Sequence, residues 1–423
     1  MRLKVDRTED IRGEIVVPSS KSHTIRGFVF ASLAEGESKL IHALEAADTQ
    51  AAINACKALG AGIEKENGEF IVRGFSGKPK TDSRLDTLNS GTTTNLIMGT
   101  AALGDRKVLI DGDASIRKRT VQPLLDALNA LGAKAVSLNN NGCPPVEITG
   151  RMKGGRVEVD CRSSQYISSL LINCPLALQD TEIGILNLCE QPYIEMTLRW
   201  LDELGIRYEN NDFKSIRIFG NQSYKAFEKN IPGDWSSATF LLTAGVMLGR
   251  DLMLKGLDME DTQADKQVLD YLRKMGADIR MGKEGIVVNR SMLTGCELDL
   301  NNTPDALPAI SVLGCYAQGK TAIRNVAHAR IKETDRIRVM TEELGRMGAH
   351  VEEKEDGMVI EHSELHCAHV HGYHDHRVVM ALSLAGMIAS GQTVIDTAEA
   401  VSVTFPDYAD IMKRIGAKID IIE

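Results

Sequence analysis

Apolar and polar residues follow a pattern that recurs six times along the chain. In each copy, apolar residues at helical spacing lead to Leu, Met or Ile, then to a glycine, and then usually to a short strand-like run. The glycines stand roughly 70 residues apart, at Gly60, Gly132, Gly205, Gly276, Gly348 and Gly416. Because glycine just past a helix is the usual stop signal, each copy predicts a helix that leads into a hairpin.

A second pattern keeps the same period but runs out of phase with the first. Short polar segments open apolar helices that are rich in small residues, and their markers are Ser20, Ser90, Ser164, Ser236, Asp305 and Asp375. Two patterns that share one period over six copies argue against chance recurrence. Each unit of about 70 residues therefore contains strands, an apolar helix, an amphipathic helix and a hairpin, which predicts an α/β repeat protein.

The sixth unit is incomplete at the C-terminal end of the sequence. It starts near Tyr373 and stops at Glu423, about 20 residues short of a full unit. The residues that precede the first unit carry two strand-like runs, RLKVD and GEIVVP. We therefore expect the N-terminal segment to complete the last repeat.

Three units per domain then give two domains, one from 20–231 and one from 1–19 plus 232–423. Two crossovers join them, near 18–20 and 231–234, and Pro18 and Pro232 mark these crossovers. Paired crossovers suggest a hinge. If the repeats pack with pseudo-threefold symmetry, three helix N-termini converge in each domain, and we expect the domains to face one cleft.

Composition narrows the class of protein. The 423 residues are 43% hydrophobic and 25% charged, with a net charge of -9, which argues against nucleic acid as a partner. No apolar run reaches the roughly 18 residues of a membrane span, and the charged N-terminus lacks a secretory h-region. The eight cysteines form no CxxC pair and read as reduced thiols, so we expect a cytoplasmic protein.

The polar helix openings are the candidate chemical sites. Those of the first domain combine hydroxyl groups with cations such as Lys21 and Arg26, which suits phosphate binding at helix N-termini. Those of the second domain carry ionisable groups, including Asp305, Asp375 and Arg377, which suits acid–base chemistry. The alternative is that these residues are ordinary N-caps. Capping does not explain cations in a first turn, because the helix dipole disfavours them there.

The segment RIKETDRIR, from Arg330 to Arg338, poses the same question. Ile337, Met340, Leu344 and Met347 follow at helical spacing, so a helix is expected to begin here with Thr334 or Asp335 near its N-cap. Its charges fit either a solvated helix face or a group of cations that holds an anion.

Histidines are concentrated near the C-terminus. The segment from His362 to His376 contains six of the ten histidines and also Cys367. The spacing matches no usual zinc pattern, so a metal site is not favoured. A metal hydrolase nevertheless stays an alternative that sensitivity to a chelator would support.

Several motifs occur together in a fixed order: PSSKSHTIR, LNSGTTTN, SSQYISSLLINCPLAL, QPYIEMTL, GDWSSATF, TPDALPAI, RIKETDRI, HDHRVVMALSL and TFPDY. Together they resemble the 5-enolpyruvylshikimate-3-phosphate synthase family nearly end to end. The resemblance implies an inside-out α/β barrel fold of two domains, each with three βαβαββ units. It also implies transfer of the enolpyruvyl group of phosphoenolpyruvate to the 5-hydroxyl of shikimate 3-phosphate, as part of chorismate biosynthesis. No metal or organic cofactor is implied, and a monomer is expected.

The resemblance also implies roles for individual residues. Those expected to bind shikimate 3-phosphate, mostly from the first domain, are Lys21, Ser22, Arg26, Ser163, Ser164, Gln165, Tyr193, Asp305, His328 and Lys332. Those expected to bind phosphoenolpyruvate are Lys21, Asn89, Gly91, Arg119, Gln165, Arg336, His376 and Arg377. Asp305 resembles the base for the 5-hydroxyl, and Glu333 with Lys21 resembles the group that handles the methylene proton.

The chain departs from the usual family pattern at several of these motifs. Asn95 stands where an arginine is common, Glu190 where a serine is common, and His328 where an asparagine is common. Val403 replaces a lysine that often precedes TFPDY. These departures put individual substrate contacts in question but leave Asp305 and the main arginines in place.

Two rival functions stay open. The sibling enolpyruvyl transferase that acts on UDP-N-acetylglucosamine carries a reactive cysteine in the loop that corresponds to GDASIRKR, and no cysteine occurs there. A non-catalytic anion-binding repeat protein would need the cations but not carboxylates such as Asp305 and Glu333.

Overall fold

The computed structural model describes residues 1–80 and 83–423, which divide into two compact units. One unit contains Met1–Pro18 and Gly233–Glu423, and the other contains Ser19–Pro232. Each unit has a hydrophobic core of its own. None of the described helices is long and apolar enough to cross a membrane.

Short strands account for most of the sheet structure. In chain order they are β1 (Arg2–Asp6), β2 (Glu14–Val16), β3 (Glu37–Ile41), β4 (Gly62–Glu66), β5 (Glu69–Arg73), β6 (Ser83–Asp86), β7 (Val108–Asp111), β8 (Lys134–Ser137), β9 (Val146–Thr149), β10 (Gly155–Asp160), β11 (Thr181–Leu186), β12 (Tyr208–Asn211), β13 (Ser215–Ile218), β14 (Glu228–Asn230), β15 (Leu252–Lys255), β16 (Ile279–Met281), β17 (Ile286–Val288), β18 (Glu297–Asp299), β19 (Lys320–Arg324), β20 (Val351–Lys354), β21 (Gly357–Glu361), β22 (His369–Val370), β23 (Gln392–Ile395) and β24 (Ile419–Ile422).

The helices alternate between buried apolar ones and amphipathic ones. They are α1 (Lys21–Leu33), α2 (Ala47–Ala58), α3 (Gly91–Ala101), α4 (Gln122–Ala130), α5 (Ser164–Asn173), α6 (Gln191–Glu203), α7 (Trp235–Leu248), α8 (Val268–Lys274), α9 (Leu307–Tyr316), α10 (Arg336–Arg346), α11 (His376–Ile388) and α12 (Tyr408–Arg414). Short 3-10 turns precede several of them, including Pro304–Ala306 before α9. The repeating order of strand, helix, strand, helix and hairpin confirms the predicted α/β repeat.

The described strands form six four-stranded sheets of one design. In each sheet an edge strand pairs in parallel with its neighbour, and a pair of antiparallel strands completes the sheet, as in β6-β7-β9-β8. The sheet β22-β23-β1-β24 follows the same design, with β1 between β23 and β24. The strand β1, from the run RLKVD, therefore completes the last repeat, whereas β2, from the run GEIVVP, joins the sheet of β15 instead, so the expectation for the N-terminal segment holds only for its first strand.

The edge strands are exchanged at the two crossovers. In the other four sheets the edge strand directly precedes the helix of its own repeat, as β6 precedes α3. In contrast, β2 precedes α1 but pairs with β15, and β14 precedes α7 but pairs with β3. The chain therefore passes from one unit to the other between an edge strand and the helix that follows it.

The recurring glycines end the amphipathic helices, as predicted. Gly60, Gly132, Gly205, Gly276, Gly348 and Gly416 all have φ between 69° and 110°. This is the left-handed region that other residues adopt at a cost, so glycine is the natural residue for these helix ends.

The helix α10 also begins where the sequence predicts. Asp335 is its N-cap and accepts a hydrogen bond from the backbone N–H of Arg338 at 3.1 Å. Ile337, Met340 and Leu344 are fully buried on its apolar face.

Candidate functional site

The first helix of the unit 19–232 begins with a cation. Ser20 caps α1, and Lys21 occupies the first helical position. The Lys21 Nζ lies 3.3 Å from Asp48 Oδ2, and both side chains are largely buried. The Asp48 carboxylate offsets the unfavourable position of this cation at the positive end of the helix.

Arg26 lies one turn further along α1 and is 2% exposed. Its guanidinium donates to the Thr197 hydroxyl at 2.9 Å, the Ser168 hydroxyl at 3.2 Å, and the backbone carbonyls of Ser22 and Tyr193. Burial lowers the pKa of Arg26 to about 10. These four hydrogen-bond acceptors are all neutral, so the guanidinium adds positive charge to this part of the unit.

The helices α3 and α5 begin side by side. Their close packing requires Gly99, since a Cβ there would lie 2.5 Å from Asn173 Nδ2 and 2.7 Å from Ser169 Oγ. The Ser169 hydroxyl also donates to the Asn95 carbonyl at 2.7 Å. This packing holds the two helix N-termini next to each other.

Arg119 lies against the N-terminus of α3. A Cβ at Gly91 would lie 2.8 Å from Arg119 Nη1, so a larger residue would displace the guanidinium. Arg119 Nη2 donates to Asn89 Oδ1 at 3.2 Å and to Ser115 Oγ at 2.9 Å. Asn89 in turn donates to Asp113 Oδ2 at 2.6 Å. The structure thus brings Asn89, Gly91 and Arg119 together, although they come from separate motifs.

Gln165 joins the two helix openings. Its Nε2 donates to Thr92 Oγ1 at 3.2 Å, and its Oε1 accepts from Asn95 Nδ2 at 2.8 Å. The buried Oδ1 of Asn95 has no hydrogen-bond partner among the described residues. A buried acceptor beside Gly91 and Gln165 is thus left unsatisfied.

The N-terminus of α5 is held by two acceptors. Ser163 caps the helix and accepts from the Gln165 N–H at 3.4 Å. Glu190 Oε2 accepts from the backbone N–H of Ser164 at 3.2 Å and from its hydroxyl at 2.8 Å. A carboxylate therefore lies directly at a predicted phosphate-binding position.

The unit 1–18 plus 233–423 contains a carboxylate–guanidinium network centred on Arg336, which is fully buried. Its Nη1 donates to Asp305 Oδ1 at 2.7 Å, its Nη2 to Glu333 Oε2 at 2.5 Å, and its Nε to Asp375 Oδ2 at 2.8 Å. Burial alone would lower the pKa of Arg336, but the three carboxylates outweigh it and hold the pKa well above the usual value. Arg336 therefore stays charged and fixes the three acids in place.

A second arginine, Arg377, also pairs with Asp305. Arg377 Nη2 lies 2.9 Å from Asp305 Oδ2, so Asp305 bridges two arginines. Burial would raise the pKa of Asp305, but Arg377, Arg336 and Lys332 hold it well below its usual range. The buried Arg377 Nε has no hydrogen-bond partner in the described part of the chain, which leaves one donor unused.

His376 lies beside Arg377 and is 1% exposed. The Arg377 Nη1 and His376 Nε2 are 2.7 Å apart. Because a guanidinium only donates hydrogen bonds, Nε2 accepts and the imidazole proton lies on Nδ1.

Asp265 is a buried acid that sequence reasoning missed. The Ser236 hydroxyl donates to its Oδ2, and its Oδ1 has no hydrogen-bond partner among the residues described. Burial, together with the nearby Asp305, raises the pKa of Asp265 to about 7, although Ser236 and Arg377 act in the opposite direction. The network thus contains one acid, Asp265, whose pKa lies near neutral pH, and another, Asp305, whose pKa is so low that it stays ionised at that pH.

We call the group of Lys21, Arg26, Arg119 and Gln165 the first cluster, and the network of Asp305, Arg336 and Arg377 the second cluster. The predicted residues His328 and Lys332 belong to the same unit as the second cluster. His328 Nε2 donates to the Asn301 carbonyl at 3.0 Å. Lys332 ends the 3-10 turn Ala327–Ile331 and acts electrostatically on Asp305. Arg330 pairs with Asp335 and Glu353 at 2.8 Å each, and Arg338 pairs with Glu342 at 3.1 Å. These two outer arginines of RIKETDRIR are therefore structural or solvated, whereas Arg336 belongs to the network.

Within residues 1–80 and 83–423, no three side chains of His, Cys, Asp or Glu are grouped so that they could hold a metal ion, and this includes the histidine-rich segment. His371 instead pairs with Asp396, and His362 Nδ1 contacts the Tyr316 carbonyl. Both of these histidines thus have hydrogen-bond partners within the protein.

Comparisons with known proteins agree on one family. The sequence model described as EPSP synthase (3-phosphoshikimate 1-carboxyvinyltransferase) matches residues 5–412. The chain belongs to the EPSP synthase family. Curated relatives named 3-phosphoshikimate 1-carboxyvinyltransferase include one from Acetivibrio thermocellus, 50% identical, and one from Ruminiclostridium cellulolyticum, 47% identical; both alignments cover 100% of each chain. The structure of EPSP synthase from Acinetobacter baumannii superimposes with a TM-score of 0.84 at 27% identity, and the match covers all of both chains.

The structure shows the surroundings of two residues, Asn95 and Glu190, at which this chain departs from the usual EPSP synthase motifs. Asn95 takes part in the Gly91–Gln165 contacts in place of the usual arginine, which removes one cation from this cluster. Glu190 adds a negative charge beside Ser164. The first cluster of this chain is therefore less positive than the family pattern implies.

Proposed function

We propose that this chain is a 3-phosphoshikimate 1-carboxyvinyltransferase. In the first step the 5-hydroxyl of shikimate 3-phosphate gives up its proton, its oxygen bonds to C2 of phosphoenolpyruvate, and the methylene carbon takes up a proton to become a methyl group. Loss of one proton from this methyl group and cleavage of the bond between C2 and the phosphate oxygen then give the enolpyruvyl ether and inorganic phosphate. Both substrates are polyanions, so the protein must supply fixed cations and N–H donors.

The first cluster supplies the anion-binding groups of this proposal. Lys21, Arg26 and Arg119 provide positive charge, and the N-termini of α1, α3 and α5 provide backbone donors. Arg26 is buried and bonded through all of its nitrogen atoms, so its main effect is to orient Ser168 and Tyr193 and to add positive potential. Gly91 allows the substrate to approach the donors of α3 closely.

The second cluster supplies the proton-handling groups. The observation that carries the proposal is that Asp305 bridges Arg336 and Arg377 within the motifs TPDALPAI, KETDR and DHR. While both guanidiniums face it, Asp305 is a weak base. The carboxylate of phosphoenolpyruvate would share the charge of Arg377, which raises the basicity of Asp305 when the substrate is in place. Glu333, held by Arg336, is then the candidate group for the methylene proton.

Release of inorganic phosphate tests this function. Phosphate release is expected when phosphoenolpyruvate and shikimate 3-phosphate are both present, and it should continue in the presence of a chelator. Replacement of shikimate 3-phosphate by UDP-N-acetylglucosamine should abolish release. Release from phosphoenolpyruvate alone would overturn the proposal, and activity with the UDP-sugar would instead assign the chain to the sibling reaction.

A cytoplasmic location is supported by the cysteines, because all eight are free thiols, as is usual in a reducing compartment. The monomeric state expected from the sequence stays a prediction, which size-exclusion chromatography with light scattering would test.

A further inference from the structure

Glu190 has a position and a conformation that are unusual for a glutamate. It directly precedes α6, has φ of 56° in the left-handed region, and is 2% exposed. Left-handed backbone is costly for a residue with a long side chain, and burial of a carboxylate adds a further cost. Specific interactions must therefore hold this side chain in place.

The interactions are those that an anionic ligand would make. Glu190 Oε2 accepts both the backbone N–H and the hydroxyl of Ser164, the first residue of α5. Backbone donors in a first helical turn lack partners inside the helix and face the positive end of its dipole, which is why anions bind there. A carboxylate of the chain itself thus uses two donors of the proposed phosphate-binding group.

We propose that Glu190 is a resident anion that competes with the phosphate of shikimate 3-phosphate for Ser164. This inference rests on the proposed function. A phosphate and a carboxylate cannot accept the same two hydrogen bonds, and their like charges would repel each other beside Ser164. The phosphorylated substrate must therefore displace the Glu190 side chain, and Glu190 weakens binding of that substrate without taking part in the chemistry.

Glu190 should affect the two substrates differently. It weakens binding of a ligand that brings a phosphate to α5, and it does not weaken binding of phosphoenolpyruvate at Arg119 and Gly91. Glu190 is thus a specificity-determining residue, and its effect should separate the two Michaelis constants.

The test compares Glu190→Ser and Glu190→Gln with the wild-type enzyme. Steady-state kinetics would give kcat and both KM values, and phosphate release without shikimate 3-phosphate would be measured in parallel. Glu190→Ser is expected to lower KM for shikimate 3-phosphate about tenfold, the size of one or two charge-assisted hydrogen bonds regained by the ligand. The KM for phosphoenolpyruvate and kcat should each stay within about twofold, since neither depends on Ser164.

Glu195→Gln is the matched control. Glu195 lies in α6 and accepts a hydrogen bond from Gln191 rather than from Ser164. Its removal takes away one negative charge near the start of the same helix, so a general charge effect would lower KM in this variant too.

The outcomes decide between three cases. An unchanged or raised KM for shikimate 3-phosphate in the Glu190→Ser enzyme overturns the inference, and a raised value would mean that Glu190 holds the substrate. If Glu190→Ser fails to fold, Glu190→Gln keeps the shape of the side chain and must itself lower KM, or the inference falls. If the wild-type enzyme shows no activity with shikimate 3-phosphate at all, the proposed function fails instead, so the two failures are distinguishable.

Discussion

Removal of the Arg336 side chain should destabilise one unit of the protein far more than removal of an exposed arginine from the same helix. In the Arg336→Met variant, Asp305, Glu333 and Asp375 lose the guanidinium that each of them contacts. Methionine fills much of the volume but donates no hydrogen bond. The variant therefore tests the charge network more than it tests packing.

The size of the expected loss of stability follows from the burial of this ion-pair network. Arg336 and Asp375 are fully buried, so solvent cannot replace the lost interaction. Removal of one partner of a buried ion pair costs about 3 to 5 kcal/mol. The affected unit, Met1–Pro18 with Gly233–Glu423, has roughly 200 residues, and each kcal/mol in a unit of that size lowers Tm by about 2 to 4 °C. The transition of this unit should fall by about 6 to 20 °C.

Scanning calorimetry at several pH values is the assay. The loss should be larger at pH 8 than at pH 5, because acids left without Arg336 can take up protons at the lower pH and so avoid burial as charges. Arg338→Met is the control, since Arg338 is half exposed and its pair with Glu342 contributes little. Equal losses in the two variants, or a loss that does not depend on pH, would refute this account of the network.

Three further substitutions test the site and its acids. Asp305→Asn should lower kcat by about 100-fold or more, the usual contribution of a general base, while binding of both substrates changes little; equal losses in turnover and binding, compared by kinetics and calorimetry, would restrict Asp305 to positioning. Arg26→Lys should raise KM for shikimate 3-phosphate about tenfold, because an ammonium cannot reproduce the planar set of bonds to Thr197 and Ser168; an unchanged KM would contradict this. Asp265 holds a raised pKa of about 7, so the native state binds a proton that the unfolded state has lost, and stability falls as pH rises from the ordinary Asp value of about 4 to 7. The Tm advantage of Asp265→Asn over wild type should therefore grow from pH 5 to pH 7 and then level off, and a constant difference would show that Asp265 is ionised throughout.

The repeating parts of the fold were predictable because local sequence patterns determine them. A glycine such as Gly348 follows its helix directly, and the apolar positions of α10 lie within a few turns of Asp335. Sequence reasoning could read such signals because the cause and its effect lie within about ten residues. The missing part of the sixth repeat indicated that the N-terminal segment belongs to it, and the structure supplied the pairing of β1 with β23 and β24.

Other features depend on partners that are distant along the chain, so no local pattern indicates them. Nothing near Asp48 predicts its contact with Lys21, and nothing near Asp265 predicts that it approaches Asp305. The exchange of β2 and β14 also escaped prediction, because either strand could pair in parallel with the strand that follows its own helix. The resemblance of the motifs supplied the candidate site residues, whereas the structure supplied the environment that sets their charge.

The pairing of β1 also determines when the two units can form during synthesis. The unit 19–232 is one continuous stretch of chain, and its strand β14 finds its partner β3 within that stretch. The strands β1 and β2 are made first, but β2 pairs with β15 and β1 with β23 and β24, which emerge from the ribosome much later. Long-range pairing of this kind is slow, and unpaired strand edges are prone to aggregate. The unit that contains Asp305 and Arg336 is therefore completed after the unit 19–232, because β1 stays without its strand partners until β23 and β24 have been made.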